Sequence, residues 1–322
     1  MSDNNPTINH TGTPYDDVYR TLITDCPSLI IPVVNEVFHK KLKEDTKVVA
    51  LENVLFLYQP GSSQPKRITD SNLLIETARY HIECQSTVDN TMLIRIFEYD
   101  SQIALQDSEL SNNTLTVQFP NTAVIYLRHN SKTPDTMTIQ IKVPGDVCTY
   151  EVPVMKVSTY TVDEIFEKQL YFLIPFHIFA YEHLFEEYDK NEEKLAKLTQ
   201  IYEDIIDRLH ACAKQGFISE YIKCTIIDMS KQVLNQISRK YQNIKEGIGE
   251  IMGGKVLEYE AKDILKKGIA QGHAAGHAAG LTEKLITQIR KKLAKGQSLE
   301  MIADALEESV ETIEALIEEY KL

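Results

Sequence analysis

The sequence predicts a mixed α/β domain followed by an all-helical extension. Three observations carry that expectation. Up to about residue 160, short runs rich in Val, Ile, Thr and Tyr are punctuated by Gly, Pro, Asn and Asp, as strands and turns are. Two stretches with apolar residues at helical spacing interrupt those runs, giving the order helix, strands, helix, strands. Beyond that point the apolar period is almost entirely helical. The expected organisation is an α/β domain over 1–160, a helical region packing on it over 161–260, and a glycine-repeat helix with a helix-turn-helix-like tail over 261–322.

The first helix spans 15–43, "YDDVYRTLITDCPSLIIPVVNEVFHKKLK", with breaks expected at Pro27 and Pro32, because proline removes a helical donor and clashes with the preceding turn. "KVVALENVLFLY", "RITDSNLLIE" and "ARYHIECQST" then read as strands. A second helix is expected over 89–106, where Met92, Leu93, Ile96 and Ile103 recur at helical spacing. "LTVQFPNTAVIYLRH", "TMTIQIKVPG" and "TYEVPVMKVS" complete the strands. Thr161-x-x-Glu164 is a capping signature that opens a helix, which Pro175 should kink or divide. Two amphipathic helices follow, with Gly216 as the stop between them.

Gly268, Gly272, Gly276 and Gly280 repeat every fourth residue, which on a helix lays a glycine stripe along one face. Small residues let a second helix approach closely, but each glycine costs up to about 1 kcal/mol in a helix interior. The stretch therefore reads either as a packed helix, within the chain or in a homo-oligomer, or as a mobile tether. His273 and His277 have metal-compatible spacing but no third ligand in view. The end of the chain reads as two short helices with Ser298 and Ser309 as N-caps. Glu311, Glu314, Glu318 and Glu319 on the last one favour a packing or assembly role over reading DNA.

A net charge of -13 over 322 residues argues against non-specific nucleic-acid binding by the whole surface, but leaves room for a local basic groove. Lys40, Lys41, Lys43, Lys66 and Arg67 are candidates for one. The five cysteines are scattered and contain no Cys-x-x-Cys, so neither a disulfide framework nor a zinc site is expected. No apolar run approaches the ~20 residues that span a bilayer, and the polar "MSDNNPTINHTGTP" lacks a signal core. A cytoplasmic protein without a membrane partner is the expectation.

The chemistry concentrates in "ITDSNLLIETARYHIECQST". Acids inside strand-like runs need explanation, since burying an unpaired charge costs several kcal/mol. A hairpin turning between Glu76 and Thr77 sets Asp70 opposite Glu83; a one-residue shift sets it opposite Gln85. Side chains alternate, so Glu83 and Gln85 share a face while Ile82 and Cys84 share the other. Two converging carboxylates repel unless a cation or a proton lies between them. A hard ion such as Mg²⁺ suits such oxygens, with the Cys84 carbonyl as a third ligand. Gln85 could orient a water, and a metal-bound water is a hydrolytic nucleophile. Arg95 and Tyr99, one turn apart on the following helix, are aimed from the same segment, and an arginine there would meet a phosphate.

"ITD", "HIECQ" and "RIFEYDSQIA" resemble the Asp…Glu-x-Gln core and Arg-x-x-x-Tyr helix of the PD-(D/E)XK nuclease superfamily. Within it the chain is most similar to the recombination-promoting nuclease family, also described as transposase-like. "DDVYR" resembles that family's Asp-x-x-Phe-Lys opening, with Asp16 at the aspartate, Tyr19 for Phe and Arg20 for Lys. Thr69 stands where the superfamily has proline, and Gln85 replaces its lysine. The resemblance implies a restriction-endonuclease-like α/β fold and a DNA endonuclease dependent on Mg²⁺ or Mn²⁺. Asp70, Glu83, Gln85, Arg95 and Tyr99 would form the catalytic set, with Asp70, Glu83 and the Cys84 carbonyl on the metal. An auxiliary acid from the N-terminal helices is also implied, with Glu36 ranked ahead of Asp16. Two other readings stand beside it: an interaction module on a retained nuclease scaffold, and a structural oligomerisation protein.

Overall fold

The computed structural model describes residues 14–51, 54–56, 66–89, 91–253, 288–293, 296–306 and 308–320. These residues form two units, divided after Gly254. The first opens with α1 (Pro14–Asp25), a 3-10 turn at Pro27–Leu29, and α2 (Ile30–Phe38). Then come β1 (Val48–Ala50), β2 (Val54–Phe56), β3 (Lys66–Ile68), β4 (Leu73–Ile75) and β5 (Ala78–Gln85). α3 (Met92–Gln106) leads to β6 (Glu109–Ser111), β7 (Thr114–Thr116), β8 (Asn121–Tyr126), β9 (Thr136–Val143) and β10 (Asp146–Lys156). The helical part contains α4 (Val162–Glu167), a 3-10 stretch Tyr171–Ala180, α5 (Phe185–Lys190), α6 (Glu192–Gln215), α7 (Glu220–Ile237) and α8 (Gln242–Gly253).

The main sheet is mixed and has six strands in the order β1-β4-β5-β8-β10-β9. β1–β4, β4–β5 and β9–β10 are antiparallel, whereas β5–β8 and β8–β10 are parallel. A parallel pair needs a crossover, and the connection from β5 to β8 runs through α3. Strand alternation then assigns the faces. Ile82, Cys84 and Ile125 belong to the large core shared with α1, α2 and helices α6 to α8. Val124 and Tyr126, one residue out of phase, pack with Met92 and Ile96 of α3 in a second cluster. The sheet is thus covered on one face by the N-terminal and late helices and on the other by α3. His81 and Glu83 share the α3 face with Val124 and Tyr126.

Local chemistry explains where the elements stop. Thr161 and Glu164 form the reciprocal capping box at the start of α4. Asn191 and Ser219 accept from backbone N–H groups at the starts of α6 and α7. Gly216 ends α6 at φ 82°, a left-handed conformation that favours glycine.

Four expectations from the sequence are corrected. The first helix does not run to 43. It breaks at Cys26–Leu29, Pro32 sits within the first turn of α2, where its missing N–H costs no helical bond, and the helix ends at left-handed His39. "RITDSNLLIE" is not one strand, because β3 pairs with β2 and the chain bends over 69–72 before β4 begins. "LTVQFPNTAVIYLRH" divides into β7 and β8, which belong to different sheets. The Pro175 segment is not a kinked α-helix but a 3-10 stretch buried from Tyr171 to Phe179. A run apolar all round has no solvent face to present, and proline cannot supply the helical donor.

The described part of the second unit contains helical residues 288–293, α9 (Leu299–Leu306) and α10 (Val310–Tyr320) around Ile289, Ile302, Ala303 and Ile313. Ser298 and Ser309 accept from the N–H groups of Met301 and Thr312, as N-caps do. The glycine repeat at 268–280, with His273 and His277, lies outside the described residues. Among the described residues, no single helix is long and apolar enough to cross a membrane.

Candidate functional site

The β4–β5 hairpin pairs Leu73 with Tyr80 and Ile75 with Ala78, the register of a turn centred between Glu76 and Thr77. Continued past β4, it sets Asp70 against Glu83. The backbone ladder stops at Leu73, and side chains carry the pairing further. Ser71 Oγ donates to the Ile82 carbonyl at 2.8 Å and accepts from the Ile82 N–H at 3.0 Å. Asp70 N–H donates to Glu83 Oε1 at 3.1 Å, and Cys84 N–H donates to Asp70 Oδ2 at 3.0 Å. These bonds give the bend partners inside the protein, where Thr69, Asp70, Ser71 and Asn72 lie buried.

Helix α1 clamps the same strand from the large-core side. Tyr19, fully buried, donates its hydroxyl to the Ile82 carbonyl at 3.1 Å. One residue on, Arg20 Nη2 lies 3.3 Å from Asp70 Oδ1. Asp16, one turn earlier, adds negative charge near Asp70. The "DDVYR" segment is thus the piece of α1 that meets the acid pair.

The two carboxyls respond oppositely to this environment. Burial, then the charges of Glu83 and Asp16, push Asp70 up to about 8, against the Cys84 N–H and Arg20. Burial would also raise Glu83, but hydrogen bonding and charge from His81 outweigh it and hold Glu83 below the usual range, with help from Arg95. Of the two, Asp70 is the acid that holds a proton more readily and Glu83 the one that stays ionised.

His81 is the residue that sequence reasoning missed. It is completely buried, with Nε2 2.9 Å from Glu83 Oε1 and Nδ1 2.7 Å from Asp100 Oδ1 on α3. Burial disfavours the charged ring, but the two carboxylates win and push His81 up to about 9. Asp100 also accepts from Thr122 Oγ1 of β8 at 2.8 Å and from the Tyr150 hydroxyl of β10 at 3.2 Å. The available signal was periodic: residues 81, 83 and 85 alternate onto one face of β5.

The remaining candidates fall as follows. Gln85 Nε2 is 3.5 Å from Glu83 Oε2, at the outer limit of a hydrogen bond. Arg95 lies 3.7 Å from Asp89 Oδ2, and its buried Nε has no partner among the described residues. Tyr99 is buried with its ring edge-on to His81 at 5.7 Å. Cys84 offers no reactive sulfur: burial, then the charge of Asp70, drives its thiol well above the ordinary value. Its N–H points to the bend rather than to β8, and a strand residue's carbonyl faces the same edge as its N–H, so that carbonyl faces the acid pair's side. Glu36 is engaged elsewhere, accepting from Lys168 Nζ at 2.6 Å and the Tyr160 hydroxyl at 3.2 Å. Of the two auxiliary acids, it is Asp16, not the higher-ranked Glu36, whose charge is felt at Asp70. Lys40, Lys41 and Lys43 follow α2, and the side chains of Lys66 and Arg67 lie outside the described residues.

Among the described residues, no three His, Cys, Asp or Glu side chains group as a ready-made metal cage. The arrangement offers two hard carboxylates and a carbonyl, a set that suits an ion which keeps several of its waters. No family model matches the chain, and neither the curated proteins nor the solved structures contain a significant match.

Proposed function

We propose that this protein is a divalent-metal-dependent DNA endonuclease of the PD-(D/E)XK type, with a restriction-endonuclease-like fold and a role in recombination or mobile elements. The observation that carries the reading is the interlock of Asp70 and Glu83, each receiving a backbone N–H from the other's segment. Burying two acids side by side is costly, and a cation is the partner that would relieve both. Asp70, Glu83 and the Cys84 carbonyl would hold Mg²⁺ or Mn²⁺, with Asp16 as the nearby further acid. The bound ion would supply an activated water and positive charge for the phosphate. The Gln85 amide would orient the water, since it carries no charge of its own. The half-buried Arg95 guanidinium would bind phosphate oxygens through its exposed part. Tyr99 packs on His81 and holds that side of the site.

Plasmid cleavage by the purified protein tests this, with and without Mg²⁺ or Mn²⁺, beside Asp70→Ala and Glu83→Ala. Cleavage is expected only with the metal and the intact acids; activity that survives both substitutions would overturn the assignment. A second reading, a catalytically weak or inactive nucleic-acid or protein interaction module, is favoured by one observation: Asp70 already has a cation in Arg20. Metal-independent DNA binding without cleavage would select it.

A further inference from the structure

Both ring nitrogens of His81 face carboxylate oxygens, at 2.7 Å to Asp100 and 2.9 Å to Glu83. Each contact is at hydrogen-bonding distance, so the ring is held between the two carboxyl groups. Glu83 Oε1 thereby receives two donors, His81 Nε2 and the Asp70 N–H. Among the described residues, its Oε2 meets only the long 3.5 Å contact from Gln85. The two oxygens of one carboxylate are made unequal: Oε1 is occupied from within, and Oε2 is left for a ligand.

We propose that His81 and Asp100 are positioning residues that pin the Glu83 carboxylate so that Oε2 alone binds the metal. This rests on the metal-site reading above. Asp100 is itself fixed from β8 by Thr122 and from β10 by Tyr150, so the orientation of Glu83 is set by three elements that carry none of the ligands. The pinned carboxylate binds through one oxygen, which suits a small octahedral ion such as Mg²⁺ or Mn²⁺ and denies Ca²⁺ the bidentate mode that helps fill its larger coordination shell. An alternative role for the ring, merely offsetting negative charge, predicts the opposite effect on affinity, because removing a cation from the site should tighten binding of another.

The experiment measures Mn²⁺ affinity by electron paramagnetic resonance of the full chain and Ca²⁺ affinity by competition. The variants are His81→Leu, His81→Gln, Asp100→Asn and Glu83→Ala, each checked for folding by circular dichroism. His81→Leu fills the space without donating and is expected to weaken Mn²⁺ binding by about 10- to 100-fold, as lost outer hydrogen bonds do, and to narrow the preference over Ca²⁺. His81→Gln still reaches Glu83 with an N–H and is expected to recover most of the affinity, which loss of packing alone would not allow. Mn²⁺ binding by His81→Leu equal to or tighter than the unaltered protein, with Glu83→Ala inactive in binding, overturns the positioning role and leaves the metal site standing. If His81→Leu does not fold, Asp100→Asn decides: weakened Mn²⁺ binding supports the role, unchanged binding overturns it. Failure of the unaltered protein to bind Mn²⁺, or binding that survives Glu83→Ala, overturns both the role and the site.

Discussion

Replacing Asp70 with Asn should stabilise the metal-free protein while abolishing the proposed metal binding. An Asp carboxyl ordinarily titrates near 3.8, and here it is pushed up to about 8. At neutral pH the fold therefore works against roughly three pH units of ionisation, on the order of 4 kcal/mol at 1.36 kcal/mol each. Asn keeps the size of the side chain and an oxygen for the Cys84 N–H. It weakens the hydrogen bond that Asp70 accepts from Arg20, whose side chain is 25% exposed, so that loss lies at the low end of the ~1.5–3 kcal/mol for hydrogen bonds to charged groups. The net is a gain of about 1–3 kcal/mol, or roughly 3–10 °C in Tm for a unit of this size. The sign with pH follows from linkage. A carboxyl whose folded pKa is raised contributes stability that is full below 3.8 and is lost as pH rises towards 8, whereas the amide that replaces it does not titrate. The advantage of Asp70→Asn should be smallest near pH 4 and widen up to about pH 8. Calorimetric unfolding in EDTA across that range measures it. A variant no more stable than the unaltered protein at pH 7.5, or a gap that does not widen, would refute the claim that Asp70 is held against its own charge.

Four further outcomes follow from the geometry. Mg²⁺ or Mn²⁺ should raise the Tm more at pH 8 than at pH 6, since the ion displaces the Asp70 proton; a thermal shift unchanged in Glu83→Ala would place the ion elsewhere. Tyr19→Phe should cost about 1–2 kcal/mol by removing the hydroxyl from the Ile82 carbonyl, read by urea unfolding; no loss would mean that α1 is held to β5 by packing alone. Gln85→Lys should retain cleavage, since the ammonium would stand beside Glu83 Oε2; a fall of more than about tenfold, or 1.4 kcal/mol, would show that the neutral amide itself is required. Gly216→Ala should destabilise by roughly 1 kcal/mol because its φ is 82°, with metal binding unchanged.

The sequence was most informative where local rules act without competition. Alternation along β5 narrowed the partner of Asp70 to Glu83 or Gln85, with the turn centre deciding between them, and the capping box at Thr161 and the stop at Gly216 needed only their own residues. The bend at 69–72 was not legible. Thr-Asp-Ser-Asn between apolar neighbours looks like part of a strand, and nothing local says that Ser71 will take over the hydrogen bonds of Ile82. The role of Asp100 was hidden for a different reason. On α3 it is one more helix acid, and only the crossover that lays α3 on the same sheet face turns it towards His81. Glu36 and Asp16 could not be ordered either, because the choice depends on which of two helices reaches the bend, and Lys168, far along the chain, claims Glu36.

The chain linking Asp70, Glu83, His81 and Asp100 is closed at one end by Arg20 and at the other by Tyr150. Its members come from α1, the bend, β5, α3 and β10, so no contiguous fragment carries the set. During synthesis the acids emerge long before the last hydroxyl that fixes them, and the two end contacts, Arg20 to Asp70 and Tyr150 to Asp100, each join residues 50 apart, the slow kind of step in folding. A nascent or truncated chain ending before Tyr150 lacks the full assembly. Any chemistry built on this site is thereby withheld until the sheet is nearly complete.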